Sequence, residues 1–179
     1  MIRTAALILA VALSLLGAQA QEPSRFDGAI RILPDPAMTP GANDPDNVDP
    51  ALTPDLLCAK GFTTKNIRDV TDAMANQVYR NYQVKDHEGY CTDVPDGTKS
   101  LKGCEVDHLC SLELGCRNTV GNLWAEPYGG AVWNAHVKDK LENRAHQIMC
   151  DHHEMQHQLQ VDISTNWILA YQKYVGPAP

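Results

Sequence analysis

Between residues 64 and 82 the apolar side chains Ile67, Val70, Met74 and Val78 recur at steps of three and four, with Arg68, Asp72 and Arg80 between them. That period matches one face of a helix, so the spacing predicts an amphipathic helix over 64–82. The pattern breaks in 83–103, which is rich in Gly, Asp and Lys and carries the turn signal Pro95-Asp96-Gly97. Cys104-Glu105-Val106-Asp107-His108-Leu109 reads as a short strand, followed by a loop or hairpin region broken up by Gly115, Gly121 and Gly129-Gly130. From His136, the positions Val137, Leu141, Ala145 and Ile148 predict a second helix. A third keeps Leu159, Ile163, Trp167, Ala170, Tyr171 and Tyr174 on one face. No internal repeat is present. Helix, short β elements, helix, helix is the signature of a small α+β unit.

The N-terminal part reads differently. Arg3 precedes an almost unbroken apolar run from Ala5 to Leu16, and Ala18-Gln19-Ala20 gives the small-x-small pattern that signal peptidase reads. Residues 1–20 are therefore expected to be a signal peptide, with Gln21 as the mature terminus and the protein exported to the periplasm or beyond. A lasting membrane anchor is the competing reading, but a spanning helix needs about 20 apolar residues. No Cys stands at the cleavage point to support a lipoprotein, and no other segment is long and apolar enough to cross a bilayer. Residues 21–57 hold 7 of the 11 prolines and 7 acidic against 2 basic side chains. Pro34-Asp35-Pro36, Pro40-Gly41 and Asp44-Pro45-Asp46 cannot sustain a helix or a central strand, so this is an extended acidic lead-in, draped over the body at 58–179.

Composition narrows the classes. At 179 residues, 44% hydrophobic and 21% charged, the chain fits one domain with a core of its own, not a fibrous, collagenous or multi-pass membrane protein. The net charge of −7 argues against a basic nucleic-acid coat protein. Much of that charge sits in the lead-in: residues 58–179 carry 12 basic and 15 acidic side chains. An enzyme touching one or two phosphates is compatible with that balance. The six cysteines, in an exported chain, read as disulfides before metal ligands. Proximity favours Cys91–Cys104 and Cys110–Cys116, leaving Cys58–Cys150. A zinc site from Cys104, Cys110 and Cys116 is the rival reading, and no CxxC spacing supports it.

The stretch richest in chemistry is Asp107-His108, then Asn122, then Asn134-Ala135-His136 at a helix start. Hydrolysis of a phosphodiester needs a water deprotonated near neutral pH, a task suited to His. It also needs a cation against the charge developing on phosphate, held by carboxylate, imidazole or amide ligands. Neighbours in a regular strand point to opposite faces, so Asp107 and His108 share a site only if the strand ends or bends there. His136 would return a third group from downstream, where a helix N-terminus favours phosphate.

These segments resemble the secreted bacterial HNH endonucleases of the ββα-metal superfamily. The residues that carry the likeness are Cys104 to Leu109, Leu112-Glu113-Leu114-Gly115, Asn122-Leu123-Trp124 and Asn134 to Asn143. It extends to Cys58-Ala59-Lys60-Gly61-Phe62-Thr63 upstream and to Trp167 with Ala170-Tyr171 downstream. The resemblance implies a small ββα-metal core with additional packing helices, braced by disulfides. It implies His108 as general base, Asp107 as metal ligand, Asn122 as the residue that braces the loop and orients the base, and His136 as the last metal ligand, with Asn134 the weaker candidate for that place. One divalent ion is expected, Mg²⁺ by default, with Mn²⁺, Ni²⁺ or Zn²⁺ as alternatives where imidazole participates. The substrate is expected to be nucleic acid, DNA before RNA, bound with weak specificity along a basic strip of Lys138, Lys140 and Arg144. Cys110 and Cys116 depart from the family pattern, and a disulfide between them would brace the loop between base and asparagine.

Other features compete. His153-Glu154-Met155-Gln156-His157 is a literal HExxH, which on one helix could place two imidazoles on a zinc ion with Glu154 activating water. Its third ligand is missing, with only Asp162 close downstream, so a zinc protease is the lesser alternative. A disulfide-rich secreted binding module without catalysis is the other. Trp124, Trp133 and Trp167 are expected as core anchors. His87 and His146 are expected as isolated surface or core histidines, and Glu113 either braces the site or caps a turn.

Overall fold

The computed structural model describes residues 25–27, 30–84 and 103–179. The segment 1–20 expected to be a signal peptide, His87, Cys91 and the turn at 95–97 lie outside the described residues. In chain order the elements are β1 (Phe26–Asp27), β2 (Ile30–Arg31), α1 (Pro54–Leu57), α2 (Asp72–Asn81), β3 (Cys104–His108), β4 (Leu123–Pro127), α3 (Ala135–Asp151) and α4 (Gln156–Tyr174), with short 3₁₀ turns between them. The class is α+β. β1 pairs with β2 and β3 with β4, both antiparallel, and in the second pair Asp107 lies opposite Trp124 and His108 opposite Leu123. No helix of the described residues is long and apolar enough to cross a membrane.

The first helix is shorter than its hydrophobic period predicts. Thr64–Asn66 forms only a 3₁₀ turn, and α2 begins at Asp72 behind Thr71, whose side chain accepts from the Met74 N–H. The intervening backbone is used elsewhere: Asn118 Nδ2 donates to the Ile67 carbonyl at 2.7 Å, and the Asp69 N–H donates to Asn118 Oδ1 at 3.1 Å. Backbone groups spent on a tertiary partner cannot also continue a helical ladder. α3 and α4 match their spacing more closely. Val137, Leu141, Ala145 and Met149 line the buried side of α3, and Leu159, Ile163, Trp167, Ala170 and Tyr171 that of α4. α4 is kinked at Asn166 (φ −163°, ψ 98°), whose Oδ1 accepts from the Ile168 and Leu169 N–H groups and so recaps the second half.

The tryptophans anchor this core. Trp124 and Trp167 are fully buried, and Trp133 packs edge-on against Trp167 and Tyr171. Part of the core comes from the proline-rich lead-in. Ile32, Leu33, Ala42 and Leu57 are buried, Thr39 Oγ1 donates to the Leu123 carbonyl at 2.9 Å, and Trp167 Nε1 donates to the Ile32 carbonyl at 2.9 Å. Cys58–Cys150 ties the end of α1 to the end of α3 across a Cα separation of 5.5 Å, and Cys110–Cys116 closes the loop after β3 at 5.8 Å. Cys104 is also disulfide-bonded, so Cys104, Cys110 and Cys116 offer no thiolates to zinc.

Candidate active site

The site begins where β3 stops. His108 is the last residue of the strand, and the next N–H, that of Leu109, donates to the Asn122 carbonyl at 2.8 Å. The chain then turns into the disulfide-closed loop 110–116. Because the ladder ends there, Asp107 and His108 both line one cavity of about 200 Å³, together with Arg68, Glu113, Asp139 and Glu142. Neighbouring strand residues therefore serve one space, as the sequence requires of them.

Asn122 holds the loop. It is fully buried, its Oδ1 accepts from the Cys110 N–H at 2.9 Å, and its Nδ2 donates to the carbonyls of Cys110 and Arg117 at 2.9 and 3.0 Å. The side chain that touches the imidazole is a different one, Asn118. Its Nδ2 is committed to Ile67, so the atom facing His108 Nε2 at 3.1 Å is Oδ1, an acceptor. Hydrogen-bond accounting then assigns the proton of the neutral ring to Nε2 and leaves Nδ1 as the lone pair. Nδ1 has no hydrogen-bond partner, and burial lowers the His108 pKa to about 4 despite the opposing pull of Asp107. At neutral pH the ring is a free base.

Beside it lies a buried charge cluster. Lys138, on α3, is 1% exposed, and its Nζ donates to Asp107 Oδ2 at 2.6 Å, to the His108 carbonyl at 2.6 Å, and to Glu142 Oε1 one turn along the helix. Burial opposes the ammonium, but Asp107, Glu142 and Glu126 outweigh it and raise the Lys138 pKa. Burial likewise opposes ionisation of Asp107, yet Lys138 and its hydrogen bond hold that carboxyl down at about 2. The remaining carboxylates are not neutralised as well. Burial pushes Glu142 to about 7, burial with Asp107 and Asp139 pushes Glu105 to about 7, and burial raises Glu126 well above the usual carboxylate range. Among the described residues, Glu105, Asp107 and Glu126 bring three carboxylate oxygens within 4.8 Å of one another, a donor set suited to a hard divalent cation.

The other expected participants are placed elsewhere. His136 is exposed near the start of α3, edge-on to Tyr128 at 4.4 Å, and is not among the residues lining the cavity. Asn134 caps that helix, accepting from the Val137 N–H and donating to the Ala131 carbonyl, so both ends of its amide are used. Lys140 and Arg144 are exposed on α3 outside the cavity lining. Lys138 does not belong to a surface strip with them, because the carboxylates draw its ammonium inward. The HExxH run is not one helix. His153–Met155 is a 3₁₀ turn and α4 starts at Gln156, with His153 exposed against Asp55 and His157 exposed, so the two imidazoles lack the shared helical face a zinc site needs. His146 lies within 3.2 Å of the Leu57 carbonyl, and Glu113 is at the cavity with one buried carboxylate oxygen unpartnered.

Sequence reasoning passed over Arg68, Asn118, Glu126 and Glu142. Arg68 alone offered a signal, as a cation on the polar side of its segment; it is an exposed cation at the cavity, and its charge acts on Glu105, His108 and Asp139. No family model, no curated protein and no solved structure matches the chain.

Proposed function

We propose that the chain is an exported, metal-dependent endonuclease of the HNH type, hydrolysing phosphodiester bonds in nucleic acid, DNA before RNA, with β3, β4 and α3 as its ββα core. The observation that carries this reading is His108: neutral, held by Asn118 through Nε2, with Nδ1 buried and unpartnered, on a residue that lines a polar cavity together with Asp107. A general base needs that combination of free lone pair, fixed orientation and adjacent space.

In the reaction, His108 Nδ1 takes a proton from the attacking water as its oxygen bonds to phosphorus, the P–O bond to the leaving sugar oxygen breaks and that oxygen takes a proton from solvent, while Asn118 keeps the resulting imidazolium oriented and hydrogen-bonded. Arg68, which lines the same cavity, binds the scissile phosphate through its guanidinium. Asn122 and the Cys110–Cys116 link keep the loop behind the base from yielding. Asp107 is the carboxylate from which a divalent ion, Mg²⁺ first, would be held, supplying charge stabilisation at phosphate when bound. The imbalance of carboxylates over cations around Asp107 fits such an ion.

The test is cleavage of plasmid DNA by the mature protein with Mg²⁺ or Mn²⁺. His108→Ala should abolish nicking while circular dichroism stays unchanged, and excess chelator should stop the wild type. Protein inert toward DNA and RNA across several divalent metals overturns the proposal in favour of a disulfide-braced binding module.

A further inference from the structure

Glu126 is 0% exposed, and neither of its carboxylate oxygens accepts from an N–H or O–H donor; the side chain stands against the Asp107 carboxyl instead. Its nearest cation, Lys138 Nζ, is 4.0 Å away, outside hydrogen-bond reach, because that ammonium is drawn to Asp107, Glu142 and the His108 carbonyl. A buried carboxylate without a donor is costly unless a cation or a proton accompanies it. Glu126 is also aimed at company: one of its oxygens lies within 4.8 Å of oxygens from Glu105 and Asp107, and both of those residues are only partly buried, which leaves a way in from solvent.

We propose that Glu105, Asp107 and Glu126 form a divalent-cation site on the β3–β4 pair, completed without His136, and that the Lys138 ammonium competes with the ion for Asp107. This names the ion-binding residues of the nuclease reading and rests on it for purpose, though not for geometry. Three carboxylate donors without sulfur or imidazole select Mg²⁺, Mn²⁺ or Ca²⁺. Charge supports the choice. The carboxyls of Asp107, Glu105, Glu126, Glu142 and Asp139 outnumber the cations beside them, Lys138 and, near Glu105 and Asp139, Arg68, so the cluster has room for added positive charge. Lys138 can release Asp107 and keep Glu142 and the His108 carbonyl, so entry of the ion does not strand a buried ammonium.

The experiment is titration of the metal-free mature protein with Mn²⁺, followed by calorimetry and by the electron paramagnetic resonance of the free ion. One ion per chain is expected. Glu105→Gln and Glu126→Gln should each weaken binding at least about tenfold, His136→Ala should leave it unchanged, and Lys138→Met should tighten it. If Lys138→Met does not fold, a shift of the Lys138 ammonium resonance on adding Mg²⁺ tests the competition instead. No saturable binding, binding indifferent to both glutamine substitutions, or binding lost in His136→Ala overturns the site. Binding with the expected pattern but no DNA cleavage removes the nuclease reading alone, and metal-dependent cleavage with ion binding unchanged in both glutamine variants removes the cation site alone.

Discussion

The Nε2 atom of His108 and the Oδ1 atom of Asn118 lie 3.1 Å apart, and the rest of the Asn118 amide is already committed to the backbone at Ile67 and Asp69. The contact joins three parts of the chain: the strand that carries the base, the loop after it, and the segment that carries Arg68. It therefore fixes which nitrogen of His108 is protonated and ties the ring to the segment that carries Arg68.

Asn118→Ala should accordingly lower kcat for DNA cleavage by about 10- to 100-fold with little change in KM, because the base loses its orientation rather than its chemistry. Nitrogen chemical shifts of the His108 ring check the cause. Wild type should show the Nε2-protonated tautomer and the variant a mixture. An unchanged tautomer and an unchanged kcat would refute this role.

The depressed pKa of His108 also makes folding pH-dependent. The unfolded chain binds a proton on this residue below about 6.5, whereas the folded protein resists it until about 4. The unfolded state thus binds more protons in that window, so stability from this residue is full above about 6.5 and falls as pH drops toward 4. His108→Gln should remove this dependence, narrowing the difference in unfolding free energy between pH 7 and pH 5 by about 2 kcal/mol. Urea melts at the two pH values measure it, and parallel curves for the two proteins would contradict the assignment.

Lys138 shows why part of the site was hidden in the sequence. Its neighbours Val137 and Leu141 announce a buried helical stripe, and a lysine at the stripe's edge reads as solvated. Burial depends instead on Asp107 and Glu126 from two strands and on Glu142 from the same helix. Glu126 is hidden for the same reason, in a strand whose five residues are all buried. Asn118 and Arg68 meet His108 across 10 and 40 positions of chain, which no periodicity records. By contrast, Val137-Leu141-Ala145 and the spacing of the α4 core were legible because helical burial is a local, periodic property. So were the Cys58–Cys150 and Cys110–Cys116 pairs, the second because a short loop forces proximity. HExxH stayed the lesser reading because such a motif presumes one continuous helix, and His153–Met155 forms a 3₁₀ turn with α4 starting only at Gln156.

Removing the ammonium tests how much the cluster depends on it. Lys138→Met leaves Asp107, Glu126 and Glu142 without their shared cation, which should cost about 3–5 kcal/mol at pH 8 in the absence of divalent metal. The loss should shrink at pH 5. Glu105 and Glu142 titrate at about 7 in the folded protein, so below that value protons replace the missing charge. A loss that is equal at both pH values would mean that packing, not charge, sets the contribution of Lys138.

The Cys58–Cys150 and Cys110–Cys116 disulfides should differ in what they contribute. Cys58–Cys150 closes a separation of 92 residues and Cys110–Cys116 one of 6. On chain entropy the longer closure restricts the unfolded state more, by about 2 kcal/mol. The paired substitution Cys58→Ala/Cys150→Ala should therefore lower the unfolding free energy more than Cys110→Ala/Cys116→Ala does. The order should reverse for catalysis. The short link lies directly behind His108, between it and Asn122, so its loss should depress kcat while the long link's loss leaves kcat near wild type in whatever fraction stays folded. A short link whose removal affects stability alone would show that the loop's shape is set by Asn122 without the sulfurs.

The cavity's geometry finally separates two accounts of substrate capture. Lys140 and Arg144 stand on the outer face of α3, while Arg68 lines the space beside His108 and Asp107. A cation at the reacting phosphate contributes to the transition state, whereas a distant one contributes only screened attraction beyond about 10 Å at 0.1 M salt. Arg68→Gln should therefore reduce kcat/KM by about 10²- to 10³-fold, mostly in kcat, at low and high salt alike. Arg144→Gln should raise KM by a small factor that disappears as salt is added. Cleavage assays across a salt series compare the two, and a larger effect at Arg144 than at Arg68 would move the phosphate to the helix surface and away from the base.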